Sequence, residues 1–182
     1  MPLYHTSHQI IEKPDVRIGR ANADFGQGFY LTADEAFAAC WARMRKGEAT
    51  YINVYELDCD GLAVKRLGRD EEWFSYIFAN RAGRPDGLPD TDVIVGPIDN
   101  DTIYDTFGIF TSGLIDPARA LELLRIGPAY EQIAVKTEKA AGKLAWVSAR
   151  ELSTDEVAGY RAIVAQEEAA FQEALAKAIE AL

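Results

Sequence analysis

The sequence predicts an α+β fold, a mixed or antiparallel sheet arrangement with helices segregated around it, in a single domain over residues 1–182. Three observations carry this expectation. Residues 49–57, Ala-Thr-Tyr-Ile-Asn-Val-Tyr-Glu-Leu, combine β-branched and aromatic residues with period-two alternation, which is the pattern of a half-buried strand. Residues 70–82 and the segment from Ser153 onward instead repeat apolar side chains at helical spacing. The element order is strand, helix, hairpin, helix, strand, helices, strand, helix, without the regular alternation of a doubly wound sheet.

Taken in order, Leu3, His5 and Ser7 alternate to one side of a short first strand. Pro14 bars a helix from continuing out of Ile10 and Ile11, and Arg17 and Arg20 follow. Phe29-Tyr30-Leu31 reads as a strand, and residues 33–46 as a helix whose apolar face carries Phe37, Cys40, Trp41 and Met44, with Gly47 as its stop. Thr32 is the expected N-cap of that helix, with Glu35 as the other half of a capping box. Residues 49–57 and 62–67, joined by Asp58-Cys59-Asp60-Gly61, form a predicted hairpin. The helix over 70–82 turns Trp73, Phe74, Ile77 and Phe78 inward, and the Gly- and Pro-bearing residues 83–89 form a loop.

Residues 92–98 predict a buried strand ending in Asp99-Asn100-Asp101, which reads as a helix cap and lacks calcium-loop spacing. Helices follow over 102–110 and from Asp116-Pro117, with Leu121 and Leu124 facing inward. Residues 130–137 are a strand, and 139–146 lead through a connection into another. Ser153-Thr154-Asp155-Glu156 opens a long C-terminal helix, residues 153–182, with Val157, Tyr160, Ile163, Val164, Phe171, Leu175 and Ile179 as its apolar stripe.

Composition bounds the function. Hydrophobic residues at 48% and charged residues at 26% are values of a folded, non-fibrous chain. A formal charge of −10 argues against a broad nucleic-acid surface, because phosphate neutralisation needs clustered Lys and Arg. The start lacks the n- and h-regions of a signal peptide and no apolar run is long enough to span a bilayer, so no membrane association is expected. With Cys40 and Cys59 as the two cysteines, a reducing cytoplasm is the expected location. No paired Cys/His spacing calls for a metal, and Walker, dinucleotide-fingerprint and nucleophile-elbow motifs are absent.

The chemistry concentrates around Asp24-Phe25-Gly26-Gln27-Gly28-Phe29-Tyr30-Leu31-Thr32 and the helix behind it. Glycines on either side of Gln27 permit positive φ or close approach to a ligand. Tyr30 leaving the strand and Trp41 returning on the helix read either as core or as two rings facing a ligand. His5 with the Thr6 and Ser7 hydroxyls reads either as a satisfied β-layer histidine or as a cluster for ribose hydroxyls or a carboxamide. Arg17 and Arg20 are candidates for a pyrophosphate clamp, since a guanidinium matches phosphate oxygens bidentately.

Together, Leu3-Tyr4-His5-Thr6-Ser7, Phe25-Gly26-Gln27-Gly28-Phe29-Tyr30-Leu31 and the late pair Glu131/Gln132 resemble the H-Y-E pattern of ADP-ribosyltransferases of the diphtheria-toxin and poly(ADP-ribose) polymerase type. In the polymerases a second aromatic stands eleven residues after the motif tyrosine, and here that residue is Trp41. The chain is more similar still to the bacterial DUF3990-type family, proposed to be toxin-like transferases encoded beside small antitoxins. The likeness runs over about residues 3–147 and includes Asn80-Arg81, Asp92-x-Ile94-x-Gly96-Pro97 and Thr137-Glu138-Lys139-Ala140.

That resemblance implies an ADP-ribosyltransferase-like fold of split sheets with flanking helices, and NAD as substrate with no metal. His5 would hold the nicotinamide-side ribose and Thr6 the carboxamide. Tyr30 and Trp41 would stack on the nicotinamide beside Gly28, and Arg17 or Arg20 would face the pyrophosphate. The expected activity is mono-ADP-ribosyl transfer from NAD to an acceptor, with a small antitoxin as partner. The family's acidic position falls on Gln132, with Glu131 one residue earlier. Adjacent strand residues point to opposite faces, so one of the two enters the site. With Gln132 there, the side chain can hydrogen-bond the ribose 2′-hydroxyl but cannot stabilise a cation or act as a base, so glycohydrolysis or mono-transfer survives better than chain elongation; with Glu131 there, the standard chemistry is available. The alternatives to transfer are a catalytically silent NAD- or nucleotide-binding module and an NAD glycohydrolase.

Overall fold

The structure is a computed structural model that describes residues 1–42, 48–98, 113 and 116–180. Strands β1 (Pro2–Ser7), β3 (Thr50–Leu57) and β7 (Leu144–Leu152) form an antiparallel sheet in the order β1-β3-β7. Strands β2 (Phe29–Leu31), β6 (Glu131–Val135), β5 (Val93–Pro97) and β4 (Val64–Arg66) form the second, in the order β2-β6-β5-β4, with β4 and β5 parallel and the other pairs antiparallel. The sheets meet where Tyr4 and Thr32 exchange backbone hydrogen bonds of 2.8 and 3.1 Å.

The period-two alternation of the strands builds the layers. Leu3 and Tyr55 of the first sheet pack against Phe29, Leu31, Val93, Val95, Ile133 and Val135 of the second, and this is the core between the sheets. The opposite parity of the second sheet, Ile94 and Ala134, lies under helix α2 (Glu71–Arg81) and helix α3 (Pro117–Leu124) through Trp73, Ile77, Ala120 and Leu121. The outer face of the first sheet, Ile52 and Leu152, packs on Ala39 of helix α1 (Glu35–Cys40), on Ala42 and, beyond a four-residue helix α4 (Glu138–Ala141), on Val157 of the long helix α5 (Thr154–Glu180). The α+β class therefore holds, with two sheets, flanking helices and a C-terminal helix.

Caps set several helix starts. Asp70 accepts from the Trp73 amide at 3.0 Å, and Ser153 and Glu156 form a reciprocal capping box at 3.2 and 2.8 Å. The start of α1 differs from expectation. Asp34, not Thr32, caps it by accepting from the Phe37 amide, because Thr32 is occupied in the bridge to Tyr4 and its hydroxyl receives the Asp34 amide. The predicted hairpin of 49–57 with 62–67 is also replaced. The turn at 58–61 exists, but β3 pairs with β1 and β7 while β4 crosses to the other sheet. Strand β7 runs to Leu152, and α4 precedes it, capped by the Thr137 hydroxyl at 3.1 Å. Pro117 opens α3 as expected and Leu121 is buried. The helix expected over 33–46 is shorter: α1 starts at Glu35 and ends at Cys40, where Trp41 is its C-cap and its amide donates to the Ala38 and Ala39 carbonyls. Met44, Gly47, Asp99-Asn100-Asp101, the helix over 102–110 and the side chain of Leu124 lie outside the described residues.

Among the described residues no helix is long and apolar enough to cross a membrane. Both cysteines are free, Cys40 half-buried and Cys59 exposed.

Candidate active site

A cleft of about 1150 Å³ opens where β1, β2, the end of α1, the start of β6 and α5 converge. His5, Ser7, Arg20, Gly28, Tyr30, Trp41 and Gln132 all line it. Thr6, Arg17 and Glu131 do not. Strand alternation explains two of these absences. His5 and Ser7 share one face of β1, so Thr6 faces the other way and its hydroxyl donates to the Ala38 carbonyl of α1 at 2.5 Å. On β6 the same rule brings Gln132 into the cleft and leaves Glu131 exposed. Arg17 is held outside on a short helical turn (Val16–Ile18), where it pairs with Asp15 at 2.9 Å and Glu138 at 3.4 Å. Arg20 is thus the arginine of the original pair that faces the cleft.

His5 and Tyr30 are joined across the seam between the sheets. The Nδ1 of His5 lies 2.7 Å from the Tyr30 carbonyl. A carbonyl only accepts, so Nδ1 carries the proton and Nε2 of the neutral ring is an acceptor. Burial holds the imidazole below its ordinary pKa, against the opposing pull of that carbonyl. The ring also lies 4.4 Å from Phe29.

Tyr30 is fixed at both ends. Its ring is stacked parallel to Phe25 at 6.4 Å and 8°. Its hydroxyl donates to the Gly26 carbonyl at 2.6 Å and accepts from the Phe25 amide at 3.1 Å. Burial pushes the phenol well above its ordinary pKa, so it stays protonated. The turn it spans requires Gly26, whose φ is +76°. Gly28 is needed for a different reason: a Cβ there would sit 2.8 Å from the Val135 carbonyl oxygen, so its bareness serves chain-to-chain approach.

The segment 24–26 is anchored by residues that sequence reasoning had not assigned to the site. Arg81 donates to Asp24 at 2.5 and 2.9 Å, and Asn80 donates to the Asp24 carbonyl at 3.1 Å. Lys136 donates to the Phe25 carbonyl at 2.7 Å and to the Tyr76 hydroxyl at 2.8 Å, and it pairs with Asp86. The signal for this clamp was present: Asn80-Arg81 ends an apolar helix and Lys136 ends a buried strand, places where charge needs a partner. The opposite wall is similarly built, because Asn53, fully buried, accepts from the Ile11 amide and donates to the Gln9 carbonyl at 2.8 and 3.0 Å.

Trp41 lines the cleft without touching Tyr30. Its ring packs edge-on against Phe37 at 5.0 Å and 75°, and Phe37 stacks on Tyr130 at 4.1 Å and 5°. Tyr130 in turn donates to Glu167 Oε1 of α5 at 2.5 Å, and that hydrogen bond, with lesser help from burial, pushes its pKa up to about 12. Val164, Glu167, Glu168 and Phe171 of α5 close this side. Glu167 was also unassigned, although a carboxylate within the otherwise apolar stripe of Val164 and Phe171 marks it.

Chemically the cleft offers a neutral imidazole acceptor, a cationic arginine, aromatic surfaces and carboxylates. Among the described residues no group of three or more His, Cys, Asp or Glu side chains could hold a metal ion. No curated protein matches the chain. The family described as Protein of unknown function (DUF3990) matches residues 1–146 by its family model, and the chain belongs to that family.

Proposed function

We propose that the chain is an NAD-dependent mono-ADP-ribosyltransferase, a toxin-type effector restrained by a small antitoxin, that releases nicotinamide as it transfers ADP-ribose to an acceptor. The observation that carries this reading is the convergence of His5, Tyr30 and Gln132, from three separate strands, on one cleft with Arg20 and Trp41. Its volume, about 1150 Å³, is sufficient for a dinucleotide. The acceptor nitrogen of His5, free of any protein partner among the described residues, suits a ribose hydroxyl. Arg20 suits a phosphate oxygen, and the rings of Tyr30 and Trp41 suit the faces of a planar base.

The neutral side chain at Gln132 favours a second reading, an NAD-binding module without transfer or an NAD glycohydrolase. An amide can hydrogen-bond a ribose hydroxyl, but it cannot offset developing positive charge. Titration with NAD, followed by tryptophan fluorescence in the unsubstituted protein and in Trp41→Ala, tests the site. Incubation with labelled NAD then separates the readings: labelled acceptor supports transfer, free ADP-ribose supports hydrolysis, and bound but intact NAD supports the silent module. Absence of NAD binding at millimolar concentration refutes all three.

A further inference from the structure

Departure of neutral nicotinamide takes the electron pair of the ribose C1′–N bond and leaves positive charge on the ribose, so the reaction needs an anion nearby. On β6 the residue facing the cleft is the neutral Gln132, and its acidic neighbour Glu131 is exposed. The carboxylates that do line the cleft are Glu12, Asp15, Asp24, Glu167 and Glu168. Asp15 is committed to Arg17 and Asp24 to Arg81, while Glu12 and Glu168 are exposed on the rim.

Glu167 is different. It is half-buried, and its Oε1 is fixed at 2.5 Å by the hydroxyl of Tyr130, whose ring is itself locked in a parallel stack on Phe37. Its Oε2 has no protein partner among the described residues. Tyr130 stands two residues before Gln132, the spacing that places both on the same face of an extended segment. The helix that contributes Glu167 lies beyond the matched segment, which ends at residue 146. The carboxylate therefore comes from the part of the chain that the family match does not cover.

We propose that Glu167 of α5, positioned by Tyr130, supplies the anion facing the ribose in this cleft, in place of an acidic residue on β6. The proposal rests on the NAD reading above. In the step, the C1′–N bond breaks with its electron pair leaving on nicotinamide. The acceptor nucleophile, or water in hydrolysis, gives its pair to C1′ and its proton passes to Glu167 and then to solvent.

The test uses the full chain and NAD itself, with nicotinamide release followed by chromatography and NAD affinity by titration. Glu167→Gln keeps an acceptor for Tyr130 and removes the charge. It should bind NAD within about threefold of the unsubstituted protein and lose about 100-fold or more in release rate, as expected for deletion of a transition-state electrostatic partner. Glu167→Ala, as a second variant, should regain release when formate is added. Release by Glu167→Gln within threefold of the unsubstituted rate, or no rescue by formate, overturns the assignment and leaves NAD cleavage standing. No release by the unsubstituted protein, with NAD bound, removes both.

Discussion

Tyr30 separates two roles within one side chain, and Tyr30→Phe dissects them. The substitution keeps the ring over Phe25 and deletes the hydroxyl that bridges the Phe25 amide and the Gly26 carbonyl at 3.1 and 2.6 Å. One neutral hydrogen bond contributes a net ~1 kcal/mol, and stranding a partly buried amide adds ~1–2 kcal/mol. The expected destabilisation is about 2 kcal/mol, or a fall in Tm of about 4–8 °C for a chain of this size. NAD affinity should stay within about threefold, because the stacking surface is intact. Tyr30→Ala should lose the binding as well as the stability. Urea melts with unchanged m-value and fluorescence titration provide the two readouts. A Tyr30→Phe protein as stable as the unsubstituted one, or one that loses NAD binding as fully as Tyr30→Ala, would refute this division of labour.

Three further outcomes are expected. Glu131→Ala should leave stability within about 0.5 kcal/mol and nicotinamide release unchanged, since the side chain is exposed, whereas Gln132→Ala should weaken NAD binding; equal effects in a side-by-side titration would contradict the placement. Because burial depresses the His5 pKa from 6.5, the unfolded chain takes up a proton that the folded chain refuses, so this contribution to stability is present above pH 6.5 and lost as pH falls below it. His5→Asn should flatten the slope of urea midpoint against pH between about 8 and 5, and an unchanged slope would count against the buried neutral imidazole. Asp92→Ala should cost about 2–4 kcal/mol, because Asp92 gathers the Ala63 amide, the Thr137 hydroxyl and the Lys139 ammonium. With those donors, Lys139 first, holding its carboxyl at about 2, that stabilisation is kept above pH 4 and lost as pH drops toward 2, and denaturant melts across that range check it.

Where local pattern coincided with tertiary demand, the fold was legible from residues alone. The strand at 50–57, the buried strand at 93–97, the Trp73 face of α2 and the Ser153 box of α5 all announce themselves through periodicity or caps. The hairpin failed because turn chemistry at 58–61 describes the turn and says nothing about strand partners, which are chosen by burial on both sheets. Thr32 failed as a cap because Asp34, two residues on, competes with the same chemistry while Thr32 serves the bridge. Within the site, alternation alone sorts His5 from Thr6 and Gln132 from Glu131. Glu167 and Lys136 were harder, since their meaning depends on elements more than thirty and one hundred residues away in sequence.

The seam between the sheets has a thermodynamic consequence. Tyr4 meets Thr32, and His5 meets Tyr30, along one line at which the two sheets are joined. A ligand that engaged His5 on one side and Tyr30 or Gln132 on the other would act as a clasp across that line, and its binding energy would add directly to the free energy holding the halves together. Occupancy of the cleft and cooperativity of the whole domain would then rise and fall as one quantity, visible as amide protection in β1 and β2 that tracks ligand concentration.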